Sequence, residues 1–180
     1  MNGRVIILHG PSSSGKSTIA VALQEMIELP FWHISIDHMR DSGVLPTDRL
    51  KREEFNWSEL RTPFFDGFHR SLAAYSSSGN NLIVEHILDS PEWVADLKGL
   101  LAPFDVFFAG VHCSIEELTR REAARGNRPV GSAETDFRTV HNGRVYDIEI
   151  DGERDAAENA RLIVERWRSN RRTSEFFRQE

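Results

Sequence analysis

One cysteine, Cys113, stands in 180 residues. A single thiol excludes an internal disulfide framework and suits a reducing compartment. Beside an apolar run, Cys113 reads as a small core residue. Long apolar runs are also missing. The opening segment MNGRVIILHG is too short in apolar residues for a secretory signal, and nothing later approaches the roughly 20 needed to span a bilayer. A soluble, cytoplasmic chain with no membrane partner is the expectation. Positive charge is in short supply, since 22 Lys and Arg against 28 Asp and Glu leave a net charge of −6. That balance argues against a general nucleic-acid coat, which needs a surplus of cations over backbone phosphates. Any basic function must be local. Seven histidines are present, yet His33, His38, His69, His86, His112 and His141 follow no recognised zinc spacing, and His9 precedes a glycine-containing turn. The run Ser12-Ser13-Ser14 lacks a Gly-x-Ser-x-Gly elbow, which removes the usual ground for a serine hydrolase.

With 39% hydrophobic residues, the chain is long enough for one packed domain spanning 1–180. Apolar runs recur at Val5 to Leu8, Trp32 to Ile36, Leu82 to Leu88, Val106 to Val111 and Tyr146 to Ile150, separated by helical or polar stretches. This alternation predicts an α/β fold, and near-continuous runs suit parallel strands covered on both faces. Ligands then gather at the carboxyl ends of the strands. The stretch Asp41 to Arg61 mixes Gly43, Pro46, charges, Phe55 and Trp57. It reads either as a mobile substrate-side segment or as an amphipathic helix over the sheet. Ser114-Ile115-Glu116-Glu117 has the form of a capping box, starting a helix that runs toward Arg125 and stops near Gly126.

The strongest local signal is GPSSSGKSTIAVAL, which follows the first apolar run. Gly10, Gly15, Lys16 and Ser17 fall at the spacing G-x-x-x-x-G-K-[ST] of a phosphate-binding loop. Glycines let backbone N–H groups turn toward phosphate oxygens, and the following helix aims its positive end at the same anion. Gly10, Pro11, Ser12, Ser13, Ser14, Gly15, Lys16, Ser17 and Thr18 are therefore the expected ATP-binding residues. Lys16 would reach the β- and γ-phosphates, and Ser17 would offer its hydroxyl to Mg2+. The helix that follows carries Ile19, Ala22, Leu23, Met26 and Ile27 on one side and ends before Pro30.

Such a loop identifies the phosphate donor and leaves the reaction open. Asp37, closing the run FWHISID, could take the proton of an acceptor hydroxyl, or could simply N-cap a short helix. Glu85, in LIVEHIL, could support the magnesium shell through water, or could be a carboxylate paired at a strand end. RREAARGNRPVG supplies Arg120, Arg121, Arg125 and Arg128; Arg125 and Arg128, where helix yields to loop, are the chosen donors for a migrating phosphoryl group. Arg120 and the tail RWRSNRR read as solvated surface.

The chain resembles the chloramphenicol phosphotransferase family of P-loop kinases. The likeness rests on VIILHGPSSSGKSTI, the strand ending in Asp37, REAARGNRPVG and VHNGRVYDIEID. It implies a three-layer sandwich with a five-stranded parallel sheet, an arginine-bearing lid near 114–131 and a substrate-side segment near 41–81. It also implies transfer of the ATP γ-phosphate to the primary hydroxyl of chloramphenicol. On that pattern the base falls on Asp37, the loop lysine on Lys16, and the lid arginines on Arg125 and Arg128. The family has an acidic pair where this chain has Glu85-His86, and its substrate-side segment does not align with residues 41–81. Phe55, Trp57, Phe64, Phe65 and Phe68 suit an aromatic acceptor and a core equally. The expected acceptor is a small-molecule alcohol; a nucleotide or nucleic-acid end, and a non-catalytic ATP-binding regulator, are the alternatives.

Overall fold

The computed structural model describes residues 1–125 and 131–177, with the backbone alone for Arg125 and Ser132. Five strands, β1 (Arg4–His9), β2 (Phe31–Ser35), β3 (Asn81–His86), β4 (Asp105–His112) and β5 (Ile148–Asp151), form one sheet in the order β2-β3-β1-β4-β5. Every pairing is parallel. The alternation of side chains along β1 splits the core into two layers. Ile6 and Leu8 pack with Ile19 and Leu23 of α1 (Lys16–Met26) and with Ile163, Val164 and Trp167 of α8 (Ala156–Arg168). Val5 and Ile7 face the opposite side, against Phe68 and Leu72 of α4 (Trp57–Ser77) and Leu97 and Leu101 of α5 (Pro91–Leu101). Helices thus cover both faces, as the apolar runs require.

The strand ends differ from the sequence expectation by a few residues. Ile36 belongs to α2 (Ile36–Asp41), because the Ser35 hydroxyl accepts from the His38 N–H and caps that helix. Leu88 leaves β3 with φ 49°, and Tyr146 precedes β5. The stretch Asp41 to Arg61 is neither a loose loop nor one amphipathic helix. It contains the end of α2, the five-residue α3 (Thr47–Lys51) and the first turn of α4. The expected capping box is half formed. Ser114 Oγ accepts from Glu117 N–H at 3.4 Å, but the Ser114 N–H goes to Glu153 rather than back to Glu117. From there α6 (Ile115–Arg125) runs as anticipated, and α7 (Ser132–Thr139) follows. Among the described residues, no helix is long and apolar enough to cross a membrane. Cys113 is buried, and burial pushes its thiol up to about 11.

Candidate active site

The strand order reverses direction at β1, which lies between β3 and β4. The crevice at the carboxyl end of such a switch point is where open α/β sheets bind ligands. The phosphate-loop sequence occupies it. Gly10 presses on the neighbouring strand so closely that a Cβ there would lie 2.3 Å from the Val111 carbonyl oxygen. Ser13 and Gly15 adopt left-handed φ values of 66° and 96°, turning the loop back onto α1. Gly15 has no side chain to cap the first turn of α1, and the Ser13 hydroxyl is buried without a protein partner. Backbone donors and an orphaned hydroxyl at a helix N-terminus fit a polyphosphate. Lys16 Nζ is buried and donates to the carbonyls of Gly10 (2.9 Å) and Pro11 (2.6 Å) and to Ser14 Oγ (3.3 Å). Thr18 sits exposed in the same turn of α1.

Beside the loop opens a cleft of about 260 Å³. Ser12 through Ser17 form one wall and Asp37, Arg40 and Glu85 a second, while Trp57, Phe64, Phe65 and Trp93 supply aromatic surface. Asp37 lines the cleft beside the phosphate loop. It lies in the first turn of α2, not at a strand end, and Ser35 rather than Asp37 is the N-cap. Its carboxylate is 3.3 Å from the Arg40 guanidinium. The aromatic candidates divide. Trp57, Phe64 and Phe65 border the cleft, Phe68 is fully buried core, and Phe55 lies on the surface beneath Arg49.

Glu85 is the hub between the strands. Its Oε2 accepts from Ser17 Oγ at 2.8 Å, and its Oε1 lies 2.5 Å from His33 Nε2. Burial pushes the Glu85 carboxyl up, but the His33 hydrogen bond, the Lys16 charge and the Ser17 hydroxyl together outweigh it and hold it below its ordinary value. A hydroxyl already aligned on an ionised carboxylate is a donor set that a magnesium ion accepts. Next to Glu85, His86 is fully enclosed. Its Nδ1 accepts from Leu88 N–H at 2.8 Å, so the ring proton of the neutral form is on Nε2, which donates to His69 Nε2 at 2.9 Å. Burial lowers both histidines, His69 to about 4. Where the resembled family has a second carboxylate, this chain has a neutral imidazole pair.

The arginine segment is only partly described. Arg128 lies outside the described residues, as does the Arg125 side chain, so their expected contacts stand as expectations. Arg121 emerges instead. It donates to the Ser13 carbonyl at 3.3 Å and to the Gly152 carbonyl at 3.1 Å, while Glu117 holds its Nε at 2.6 Å. Arg120 is exposed on Glu117, as expected of a solvated face. Arg172 departs from that reading. Its side chain is 7% exposed, bridges Asp105 and the Trp167 carbonyl, and lies over Phe107.

Two further supports lay outside the sequence reading. Asp136 of α7 accepts from the Ser12 N–H at 3.0 Å, and Tyr146 OH joins His9 Nδ1 (2.8 Å) to His141 Nδ1 (2.7 Å) behind the loop. The segment VHNGRVYDIEID therefore serves the site by bracing it. Its Asp147 accepts from Phe108, Thr173 and Ser174 N–H groups and fastens the C-terminal tail to β4.

Residues 3–168 match the family model described as chloramphenicol phosphotransferase-like protein. The chain belongs to that family. Two curated relatives, from two strains of Mycobacterium tuberculosis, carry the name "Putative O-phosphotransferase" and are 30% identical, over 83% of this chain and 75% of theirs. Among solved structures, the chain is similar to the Mycobacterium tuberculosis APS kinase in complex with AMPPNP and APS. The TM-score is 0.66 at 16% identity, covering 93% of this chain and 98% of that one. It is also similar to the Acinetobacter baumannii shikimate kinase in complex with shikimate, with TM-score 0.62 at 18% identity, covering 93% and 94%. Family and fold are those of a P-loop phosphotransferase.

Proposed function

We propose that the protein is a kinase that moves the γ-phosphate of ATP to a hydroxyl of a small molecule, with chloramphenicol or another uncharged aromatic alcohol as acceptor. The observation that carries the reading is one cleft shared by Lys16, Ser17 and Asp37 and walled by Trp57, Phe64, Phe65 and Trp93. Arg61 stacks 4.4 Å above Trp93 and donates to both Asp89 oxygens (2.9 and 3.2 Å), so its charge is met within the protein. Such a wall favours a neutral ring over an anion.

In the reaction, the acceptor oxygen forms a bond to the γ-phosphorus while Asp37 takes its proton. The bond from that phosphorus to the bridging oxygen breaks, and ADP departs with the electron pair. The phosphate-loop N–H groups and Lys16 stabilise charge on the transferring group and on the β-phosphate. Ser17, held by Glu85, would bind magnesium, which neutralises phosphate charge when present. Arg125 and Arg128 are proposed to close over the migrating phosphoryl group.

The test supplies ATP and magnesium with a panel of hydroxylated compounds, chloramphenicol and a 5′-hydroxyl oligonucleotide included, and seeks a phosphorylated product by mass spectrometry. Asp37→Asn should retain ATP affinity and lose about 10²–10⁴ in turnover. Unchanged turnover in that variant refutes the role of Asp37. Phosphorylation of the oligonucleotide alone refutes the small-molecule acceptor.

A further inference from the structure

His33 and His38 are five residues apart with no recognised metal spacing, yet the fold returns both to Glu85. His33 leaves β2 and Glu85 leaves β3 on the same face, since Ser35 pairs with Glu85 and His33 with Ile83. The chain then turns at Ser35 into α2, and that cap fixes the backbone of His38 in the first helical turn. The two imidazole rings meet at 4.5 Å between centroids and 74° between planes. One donor atom from each of His33, His38 and Glu85 lies within 4.8 Å of the other two. His33 and Glu85 side chains are each 9% exposed, whereas His38 is open to solvent. A buried pair with one reachable ligand gives an ion both a low-dielectric seat and an entry path.

We propose that His33, His38 and Glu85 form a binding site for a borderline divalent cation of the zinc class, with water completing a four-coordinate shell. Two imidazole nitrogens and one carboxylate oxygen are a donor set for zinc or cobalt; magnesium prefers oxygen ligands and keeps its waters. Bonds of about 2.0–2.2 Å put tetrahedral ligands roughly 3.3 Å apart. His33 Nε2 and Glu85 Oε1, now 2.5 Å apart, must therefore spread as the ion enters between them, while His38, on the exposed turn, closes onto it. The nitrogen of His33 that now meets Glu85 would carry the metal, its proton moving to Nδ1. Glu85 keeps its other oxygen on Ser17, so the ion sits one carboxylate away from the phosphate loop. A structural reading of the His33–Glu85 contact gives His38 no part.

The experiment titrates the chelator-stripped full chain with Zn2+ by calorimetry and with Co2+ by visible absorption. The expected result is one Zn2+ per chain, intense tetrahedral cobalt bands, and a raised melting midpoint with Zn2+. His38→Ala, a surface change that should melt like the parent without metal, should weaken Zn2+ by about 100-fold and abolish the cobalt bands. His112→Ala, away from this cluster, should bind as the parent does. The proposal is overturned if the parent binds no Zn2+, if His38→Ala titrates like the parent, or if loss follows His112→Ala alone. It is also overturned if millimolar Mg2+ displaces the Zn2+, which would make the site that of the nucleotide's magnesium.

Discussion

Gly152 immediately follows β5, in a position the phosphate-loop motif does not mention, and it touches that loop more tightly than any side chain could. A Cβ on Gly152 would lie 2.0 Å from the Ser14 carbonyl oxygen and 3.1 Å from both the His112 carbonyl oxygen and a Val111 methyl. Gly152 N–H also donates to the His112 carbonyl at 2.7 Å, which holds its backbone in place. Gly152→Ala therefore cannot relax by side-chain motion. Ser14 must retreat by roughly 1 Å, because a Cβ does not approach backbone oxygen within 3.0 Å. Overpacking of this kind costs about 1–3 kcal/mol. For a chain of this length, that corresponds to a melting midpoint lower by about 2–12 °C. A nucleotide that binds the undistorted loop must restore the overlap, so about 1.4 kcal/mol of that strain lowers affinity tenfold. Calorimetric titration with a non-hydrolysable ATP analogue, beside thermal melts, reads both numbers. Gly67→Ala on α4 is the matched control. Its new methyl meets no atom within 4 Å, so replacing a helical glycine should stabilise by about 0.5–1 kcal/mol and leave nucleotide affinity alone. If Gly152→Ala melts and binds like the parent, the close packing of β5 on the phosphate loop is refuted.

Glu85→Gln keeps the shape of the hub and removes its charge. Affinity for ATP should fall about tenfold or more in the presence of magnesium and change little in EDTA, and equal losses in both buffers would contradict a role toward the metal. The neutral histidines set an acid limit. Burial depresses His69 and His141 to about 4, and His9 and His86 shift the same way. The unfolded chain binds protons on these rings below about pH 6.5 while the folded chain does not, so their contribution is complete above that pH and declines as pH falls toward 4. Melting midpoints recorded across that interval should drop steadily, and a flat or rising profile would show that these rings are not held neutral.

The phosphate loop and its flanks were legible because their chemistry is local. Phosphate-cradling backbone demands glycine at set positions, and a buried parallel strand before it leaves an apolar run. Strand ends were less so. Ile36 reads as apolar strand until Ser35 is seen to cap α2, a competition between a hydroxyl and the ladder that composition does not display. On α4, Phe68 and Leu72 turn to the core, Phe65 joins core and cleft wall, and Phe64 and Trp57 border the cleft, although Pro63 and two adjacent phenylalanines blur the helical period. Arg121 and Arg125 sit one turn apart on α6, and only the position of α6 beside Ser13 and Gly152 shows that Arg121 braces the loop. Long-range register decided the rest. Because β3 lies between β1 and β2, Glu85 is flanked by Leu8 on one side and Ser35 on the other, within reach of both Ser17 and His33. Had β2 paired directly with β1, giving β3-β2-β1-β4-β5, Glu85 would have stood on the edge strand, one strand further from Ser17. The carboxylate hub is thus a product of strand order, and the motif supplies only the hydroxyl that it holds.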